Sequence, residues 1–493
     1  MLYFLYLSRF LGFLKTCATG RFFLNTEPLK RLRYFALCLL ITSTFYSNAY
    51  SQIKNITKND GLTSLVITCT YVDSKGIVWM GTLDGLNAYT GSHWYAITSI
   101  EDSKTGKQET LGRIETIFED SKGRIWVSVM DKIFLYSSNY WTVFAETEIE
   151  EYVAKDFFED SRGWIWVMLE HFKDFSDIPE LKFSFLGGTL EMYNGVNWFK
   201  FEEDLAGTTP YSGQGIPRYF TNMLQDEKGN IWIGSLKGVY KFDGIKWVHY
   251  DEKDLVSEKV LKLLIDKKGT VWAATEYGIS YQLGDEWIDL NKKRGLAGTT
   301  VYNLELDPKG RIWAFTRNNL RFSGISMIEE GKCIPYDKHQ TGLKGTIEQL
   351  IWNNGEIIAF SDDGVSLFDQ QGLWKQFDKK EGLNESVFSK IVQDDVGEIW
   401  LASHKTLYKY NDGNWMPLKE PEDWVVLCMM VDKTGAVWIG TDKKGLFKYQ
   451  EGNWSSYSIE NGLIDNEIEE IFEDKKGNIW AITKKGISIV SGK

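Results

Sequence analysis

Short runs of apolar residues, separated by turns rich in Asp, Gly and Asn, recur along the chain from about residue 53 to its end. One run, residues 117–119, leads into Asp120, and a second run begins two residues after Gly123. Runs of this length, bounded by turn-forming residues, are typical of β-strands. The pattern therefore predicts an all-β protein.

A seven-residue signature, Asp-x-x-Gly-x-[Ile/Val]-Trp, joins the first two runs of each unit and occurs nine times. Its Asp can accept hydrogen bonds from nearby backbone amides and its Gly tolerates positive φ, so the signature predicts a hairpin turn. An eroded tenth copy keeps Gly355, with Trp352 in the Asp place and Ile358 in the Trp place. The structural repeat residues are Asp73, Trp79, Asp120, Trp126, Asp160, Trp166, Asp226, Trp232, Asp266, Trp272, Asp307, Trp313, Asp394, Trp400, Asp432, Trp438, Asp474 and Trp480.

The spacing of the copies, mostly 38 to 47 residues, matches a four-stranded propeller blade. Of the 20 Trp, nine lie on the second strand of a unit and eight at the start of the fourth. Large aromatic residues at two fixed places per unit are expected to fill the space between neighbouring sheets. We expect a β-propeller of about ten four-stranded blades, with two smaller propellers as the alternative.

The two ends of the repeat region complement each other. The last unit stops after its third strand, whereas residues 53–57 form an isolated fourth strand, placed like Trp454 eight residues before a Gly-Leu pair. Pairing them would close the ring and remove two exposed sheet edges. We assign residues 1–51 to a leader and residues 52–493 to the propeller.

The leader resembles a secretory signal peptide. Lys30, Arg31 and Arg33 precede an apolar stretch, residues 34–45, and residues 47–49 (Ser-Asn-Ala) offer a cleavage site near Ala49. We expect a periplasmic or secreted protein without a transmembrane anchor in its mature chain. The net charge of −12, with no basic stripe, argues against a nucleic-acid partner.

No constellation of residues supports a reaction. The five His form no metal-spacing pair, and each turn Asp is alone in its hairpin. We therefore name no catalytic residue, metal or cofactor. Three Cys of the repeat region, Cys69, Cys333 and Cys428, are interpreted as packed thiols.

Insertions in the third unit are the first candidate for ligand binding, since a blade does not need them. The connection between its second and third strands, residues 170–187, carries His171, Phe172 and Phe175. Its outgoing loop, residues 202–217, carries Tyr211 and Gln214. The first unit has a long outgoing loop of its own, residues 99–112. We expect these insertions to lie in one sector of one face, with capping flaps or variable loops as the alternative.

A group of lysines on the same face is the second candidate. Lys405, Lys443, Lys444 and Lys484 occupy turns between second and third strands in the last units of an otherwise acidic chain. Such a group would attract an anionic sugar or peptide. Ordinary solvated turns have the same composition, so this alternative stays open.

The combination Asp-x-x-Gly-x-[Ile/Val]-Trp-x-Gly-Thr, then Gly-Leu-x-x-Tyr and a Trp strand, resembles the two-component regulator propeller repeat. Residues 73–89, 226–247 and 432–454 are the clearest copies. The resemblance implies the exported sensor region of a hybrid histidine kinase, here without the kinase part, and supplies no catalytic residue. The predicted partners are an extracellular small molecule or glycan, or a membrane histidine kinase. The alternative is a propeller-fold lyase or hydrolase, because streptogramin lyase propellers are distantly similar.

Overall fold

Ten four-stranded antiparallel sheets follow one another along the repeat region in the computed structural model. The structure describes residues 53–129, 132–146, 152–174, 183–201, 220–318, 321–343, 345–361, 364–377, 379–385, 387–418 and 424–491. The predicted leader, residues 1–51, lies outside the described residues. We number the sheets as blades 1 to 10 in chain order, beginning with the sheet that contains the first Asp turn.

Each blade runs from its first strand to its fourth in sequence order, except that blade 10 takes its fourth strand from the beginning of the region. The first strands are β2 Ile67–Val72, β8 Ile114–Glu119, β12 Tyr152–Glu159, β16 Phe220–Gln225, β20 Val260–Ile265, β24 Thr300–Leu306, β28 Ile347–Asn353, β32 Phe388–Gln393, β36 Val426–Val431 and β40 Glu470–Glu473. The second strands are β3 Val78–Thr82, β9 Ile125–Val129, β13 Ile165–Asp174, β17 Ile231–Ser235, β21 Val271–Thr275, β25 Ile312–Asn318, β29 Glu356–Ser361, β33 Ile399–Ser403, β37 Val437–Thr441 and β41 Ile479–Thr483.

The outer half of each blade is formed by the third and fourth strands. The third strands are β4 Gly85–Tyr89, β10 Lys132–Ser137, β14 Phe183–Tyr193, β18 Gly238–Phe242, β22 Gly278–Leu283, β26 Arg321–Glu329, β30 Gly364–Phe368, β34 Leu407–Asn411, β38 Leu446–Gln450 and β42 Gly486–Val490. The fourth strands are β5 Trp94–Ile97, β11 Tyr140–Glu146, β15 Trp198–Phe201, β19 Trp247–Tyr250, β23 Glu286–Leu290, β27 Lys332–Asp337, β31 Trp374–Gln376, β35 Asn414–Leu418, β39 Asn453–Tyr457 and, for blade 10, β1 Ile53–Ile56.

All ten blades belong to one ring. Ten apolar clusters fill the boundaries between successive blades, one cluster to each boundary. Two rings of five would bring blade 5 against blade 1. Instead Trp272 of blade 5 packs with Leu304 of blade 6, and Trp480 of blade 10 packs with Met80 of blade 1. The prediction of a ten-bladed propeller is confirmed, and the alternative of two smaller propellers is wrong.

The ring closes through backbone pairing between the two ends of the region. Strand β1 pairs antiparallel with β42, with Ile53 opposite Val490 and Ile56 opposite Ile487. Ser488 Oγ also donates to Asn55 Oδ1 at 2.7 Å. This pairing confirms the predicted closure: β42 is paired on both sides, and β1 becomes the outer strand of blade 10, as the fourth strands are in the other blades.

The Asp turns owe their shape to a shared set of hydrogen bonds. In blade 10, Asp474 Oδ1 accepts from the amides of Lys476 and Asn478, each at 2.9 Å. Its Oδ2 accepts from the indole Nε1 of the fully buried Trp480 at 3.0 Å. Eight of the nine Asp turns form this Asp–indole bond, at 2.7 to 3.1 Å. The signature therefore joins a turn to a core aromatic residue, which satisfies the buried N–H.

The same bonds lower the pKa of two of the turn carboxylates, those of Asp226 and Asp432. Burial by itself would raise the pKa of Asp226, but the bonds donated by Trp232, Asn230 and the turn amides outweigh burial and lower that pKa. Asp432 behaves in the same way, with bonds from Thr434 and Trp438. These carboxylates are thus charged acceptors whose oxygen atoms are already occupied.

Close packing explains why the Trp-x-Gly-Thr segment has a Gly at its third position, as Gly81 shows. A Cβ on Gly81 would lie 2.5 Å from Cys69 Sγ and 2.8 Å from Ile114 of the next blade. The first strands thus pack too closely here for any side chain at this place on the second strand.

The three Cys in the described residues, Cys69, Cys333 and Cys428, are free and half-buried, and burial raises the pKa of Cys69 to about 11.

Single helical turns precede the Gly-Leu pairs that enter several blades. Their Gly ends the turn with positive φ, and the following Leu is buried. These segments are the four-residue helix α1 Lys338–Thr341 and the 3₁₀ turns Lys58–Asp60, Lys292–Arg294, Lys379–Glu381 and Ile459–Asn461.

Blades 7 and 8 lack the hydrogen bond between the turn Asp and the indole. In blade 7 a two-residue turn, Asn354-Gly355, places Asn353 opposite Glu356, so Asn353 takes the Asp place and our assignment of Trp352 to it was wrong. In blade 8, Asp394 keeps its bonds to the amides of residues 396 and 398. The Nε1 of Trp400 is nevertheless buried without a hydrogen-bond partner.

Candidate functional site

The first strands line the axis of the ring. Where neighbouring blades approach each other, the closest strands are first strands, for example β2 with β8 and β32 with β36. We call the end that carries the turns between first and second strands the Asp-turn face. The opposite end carries the turns between second and third strands and the connections from one blade to the next, and we call it the crossover face.

The insertion of blade 3 on the crossover face is mostly β-structure. Strands β13 and β14 continue their ladder well beyond the usual five-residue strand, with Phe172 opposite Phe185 and Asp174 opposite Phe183. At about 3.4 Å per residue, the five extra residues of β13 extend the hairpin by roughly 17 Å. The expectation of a loop over residues 170–187 was therefore wrong for residues 170–174 and 183–187.

His171 and Phe172 lie in this extension as part of β13, where Tyr152 of β12 pairs with His171. Three strands of blade 3 therefore continue together past the height of the other blades. Phe175, Tyr211 and Gln214 lie outside the described residues.

The insertion of blade 1 is fastened to the outside of blade 2. Strands β6 Ser99–Glu101 and β7 Gln108–Thr110 form a small hairpin, and Asp102 at its end bridges to Trp141 of β11. The amide of Val143 donates to Asp102 Oδ1 at 3.1 Å, and Lys132 Nζ lies 2.6 Å from Glu109. This segment is a clasp on an outer strand, in agreement with the alternative of a capping flap.

The predicted lysines lie in corresponding turns of three consecutive blades: Lys405 in blade 8, Lys443 and Lys444 in blade 9, and Lys484 in blade 10. Lys484 Nζ lies 2.6 Å from Glu467, and this bond raises the pKa of Lys484. Lys443 Nζ lies 3.4 Å from Asp442. Neighbouring carboxylates therefore reduce the positive potential of this group.

The two predicted groups are far apart around the ring. Blade 8 follows blade 3 by five places in a ring of ten, so Lys405 and His171 belong to blades on opposite sides of the axis. The structure thus divides the candidates into a blade 3 region and a region formed by blades 8 to 10.

One further candidate, Glu305, was missed by sequence reasoning. In register, the other nine blades carry an apolar residue at its place on the first strand: Tyr71, Phe118, Phe158, Leu224, Leu264, Ile351, Val392, Met430 and Phe472. Burial raises the pKa of Glu305 to about 7, although Lys262 of blade 5 opposes the shift. Aligning the first strands on their turns would have shown this exception.

The histidines with described side chains have structural or exposed positions. His249 Nε2 lies 2.7 Å from the carbonyl oxygen of Lys237 and its ring stacks on Tyr240, while His404 is exposed in a turn. None of the four histidines with described side chains forms an ion pair with a carboxylate, and the described residues contain no cluster of His, Cys, Asp and Glu suited to a metal ion. Within the described ranges, no helix is both long and apolar enough to cross a bilayer.

The family described as "Two component regulator propeller" matches residues 61–84, which include the first Asp turn. This match confirms the predicted repeat. No curated protein matches the chain.

Several solved structures match this chain at low identity. The extracellular domain of BT4673 from B. thetaiotaomicron, described as a one-component system, is 14% identical, with 90% of this chain and 82% of that chain covered and a TM-score of 0.32. The extracellular domain of BT3049 from the same organism, described as a hybrid two-component system, is 15% identical, with 90% and 83% covered and a TM-score of 0.31. Virginiamycin B lyase from Staphylococcus aureus is 15% identical, with 55% and 94% covered and a TM-score of 0.31. Superpositions with scores this low carry no argument about function.

Proposed function

We propose that the protein is an exported sensor-type propeller that binds an extracellular ligand, with an oligosaccharide as the expected class, or a partner protein in signal transduction. The observation that supports this proposal is the extension of blade 3, which projects from the crossover face of an otherwise regular ring. A ring closed by β1 and β42 is a rigid support for such a segment. The two-component regulator propeller match agrees with a sensor role.

The extension has the features of a recognition element. A regular blade is complete without it, because the other second and third strands form their sheets without such a long continuation, whereas the β6–β7 clasp is fixed to its neighbour by Asp102 and Glu109. Binding residues are often carried by such additions to a rigid scaffold. We propose His171, Phe172 and Phe175 as contacts, with Tyr211 and Gln214 from the following connection.

The test uses two matched truncations. In the first, residues 171–186 are replaced by Asn-Gly, which joins β13 and β14 at the height of the other blades. In the second, residues 101–108 are replaced by the same dipeptide. Binding of the purified propeller to at least one oligosaccharide on an array should be lost in the first variant and retained in the second. A protein that binds nothing on the array and no exported partner on cross-linking, or a first variant that binds unchanged, would overturn the proposal.

Export is proposed on the evidence of the sequence alone, with cleavage near Ala49. Mass spectrometry of the protein recovered from the periplasm or medium should give a first residue close to Tyr50. Recovery only from the cytoplasm with an uncleaved beginning would contradict it.

A further inference from the structure

The boundary between blades 6 and 7 differs from the others on the Asp-turn face. Blade 7 has the two-residue Asn354-Gly355 turn, with φ of 48° and 86°. Asn-Gly suits such tight hairpins because both of its central residues adopt positive φ. The turn is one residue shorter than Asp-x-x-Gly, so blade 7 reaches less far on this face.

At four boundaries, those between blades 1 and 2, 2 and 3, 3 and 4, and 9 and 10, the residue before the turn Asp accepts hydrogen bonds from the preceding turn. Glu119 accepts from the amide and the hydroxyl of Ser74, each at 2.6 Å, and Gln225 accepts from the amide of Ser161 at 2.7 Å. Blade 7 carries Trp352 at this place. An indole has a donor but no acceptor, so Trp352 cannot form this bond.

A cavity of about 330 Å³ lies between the turns of blades 6 and 7 on this face. Its walls are the Asp307–Arg311 turn of blade 6 and residues 352–357 of blade 7. Its volume is at the lower end of the range for small-molecule sites. The cavity is therefore suited to a ligand of one or two rings.

The charges on the cavity wall balance. Arg311 Nε lies 2.5 Å from Asp307 Oδ2, and Glu356 accepts from the Tyr410 hydroxyl at 3.1 Å. With Lys309, the wall has two basic and two acidic groups. Because no net charge is present, the cavity favours a neutral ligand over an ion.

Besides the apolar Pro308 and Ile357 and the backbone of Gly355, the remaining lining groups are a half-buried indole and two side-chain amides, those of Asn353 and Asn354. Amides both donate and accept hydrogen bonds, as hydroxyl groups require, and the flat apolar face of Trp352 suits the C–H face of a ring. We propose that this cavity binds a mono- or disaccharide, with Trp352 stacking on the ring and Asn353 binding hydroxyl groups.

This site is independent of the proposed function. It lies on the Asp-turn face, whereas the blade 3 extension rises from the crossover face. The site can therefore be tested without assuming a ligand for blade 3.

Isothermal titration of the whole protein with glucose, galactose, N-acetylglucosamine, maltose and cellobiose tests the proposal. At least one sugar should bind, and Trp352→Ala should weaken it at least tenfold. Trp164→Ala is the control, because Trp164 is also a half-buried indole but lies at the Asp turn of blade 3. Its ring centroid is 4.2 Å from the guanidinium carbon of Arg162. Binding in this control should be unchanged.

A second variant fills the cavity while keeping Trp352. Asn353→Asp, with one lysine inserted before Gly355, restores the Asp-x-x-Gly turn and should abolish binding in a stably folded ring. The proposal is overturned if none of the five sugars binds, or if Trp352→Ala and the restored turn both bind as the parent does. Loss of sugar binding only on truncation of the blade 3 extension would place the sugar on the crossover face and would also overturn it.

Discussion

The nine Asp turns and the Asn-Gly turn of blade 7 join the first and second strands of their blades in different ways. An Asp turn places its carboxylate under a buried indole, as Asp474 does for Trp480. Blade 7 has Ile358, which is fully buried, in the place of that indole. An aliphatic side chain has no N–H to satisfy, so the turn Asp is not needed there. The acceptor and the donor of the signature therefore depend on each other.

Blade 8 shows that the two residue types alone do not secure the bond. Its Asp394 and Trp400 match the signature, yet Trp400 Nε1 has no partner among the described residues. Its ring still packs against Tyr449 of blade 9. Packing thus keeps the indole buried even where its hydrogen bond is missing.

The largest expected effect comes from removing an Asp-turn carboxylate. Asp474→Ala leaves the Trp480 indole and two turn amides without their acceptor, and we expect a loss of about 3–5 kcal/mol in the free energy of unfolding. Asn353→Ala in blade 7 should cost less than about 1 kcal/mol. Urea unfolding of both variants measures the difference, and equal losses would contradict the distinction between the two turns.

The next effect separates the indole bond from indole packing. Trp438→Phe removes a 2.7 Å bond to Asp432, whereas Trp400→Phe removes only an unpartnered donor. Both changes remove similar volume, so Trp438→Phe should be more destabilising by about 2 kcal/mol. The free energies of unfolding of the two variants provide the check, and a greater loss for Trp400→Phe would show that the bond contributes little.

A smaller effect should depend on pH. The pKa of Glu305 is about 7 in the fold and about 4.3 in an unfolded chain. Between these values the folded state binds more protons, so its stability falls as pH rises from about 4.5 to about 7. We expect a loss of about 1–2 kcal/mol, less than the full shift implies because water reaches part of the carboxyl group.

Glu305→Leu, which copies Leu264 of blade 5, should remove this pH-dependent loss. Urea midpoints at pH 5 and pH 8 for the parent and the variant provide the measurement. The same pH dependence in both proteins would rule out Glu305 as its source.

The smallest effect concerns the contact between neighbouring turns. Glu119→Ala removes both bonds to Ser74 and should cost about 1 kcal/mol. Glu119→Gln should cost less than about 0.5 kcal/mol, because Gln225 serves the same purpose in blade 4. A larger loss for Gln than for Ala would contradict the acceptor role.

Much of the fold could be predicted because its causes are local. The Asp of each Asp-x-x-Gly turn accepts hydrogen bonds from amides of the same turn, and its Trp lies only six residues after it. The residues that determine the turn are therefore close together in the sequence. The isolated strand at Ile53 was visible because strand count and spacing must agree in a closed ring. The turn of blade 7 was misassigned because the loss of one residue shifts the register by one.

The candidate site was less accessible to sequence reasoning. Residues 170–174 carry no strong alternation, and only pairing with β12 and β14 makes them strand. The β6–β7 hairpin is fixed by contacts to β11, which belongs to the next blade. Glu305 occupies a place where the other nine blades carry an apolar residue, and the cavity beside Trp352 adjoins a turn that is one residue shorter than the Asp turns. Both features become evident only when all ten blades are compared.

The sequence by itself determined the blade: its strands, its Asp turn, its core indole and the strand that closes the last sheet. Only the tertiary structure decided that ten blades form a single circle, that Lys405 and His171 belong to opposite sides of it, and that a cavity opens beside blade 7. The reason is that hydrogen bonds within a turn are set by neighbouring residues. The closing of a ring and the filling of a boundary depend on side chains from separate blades that meet only after folding.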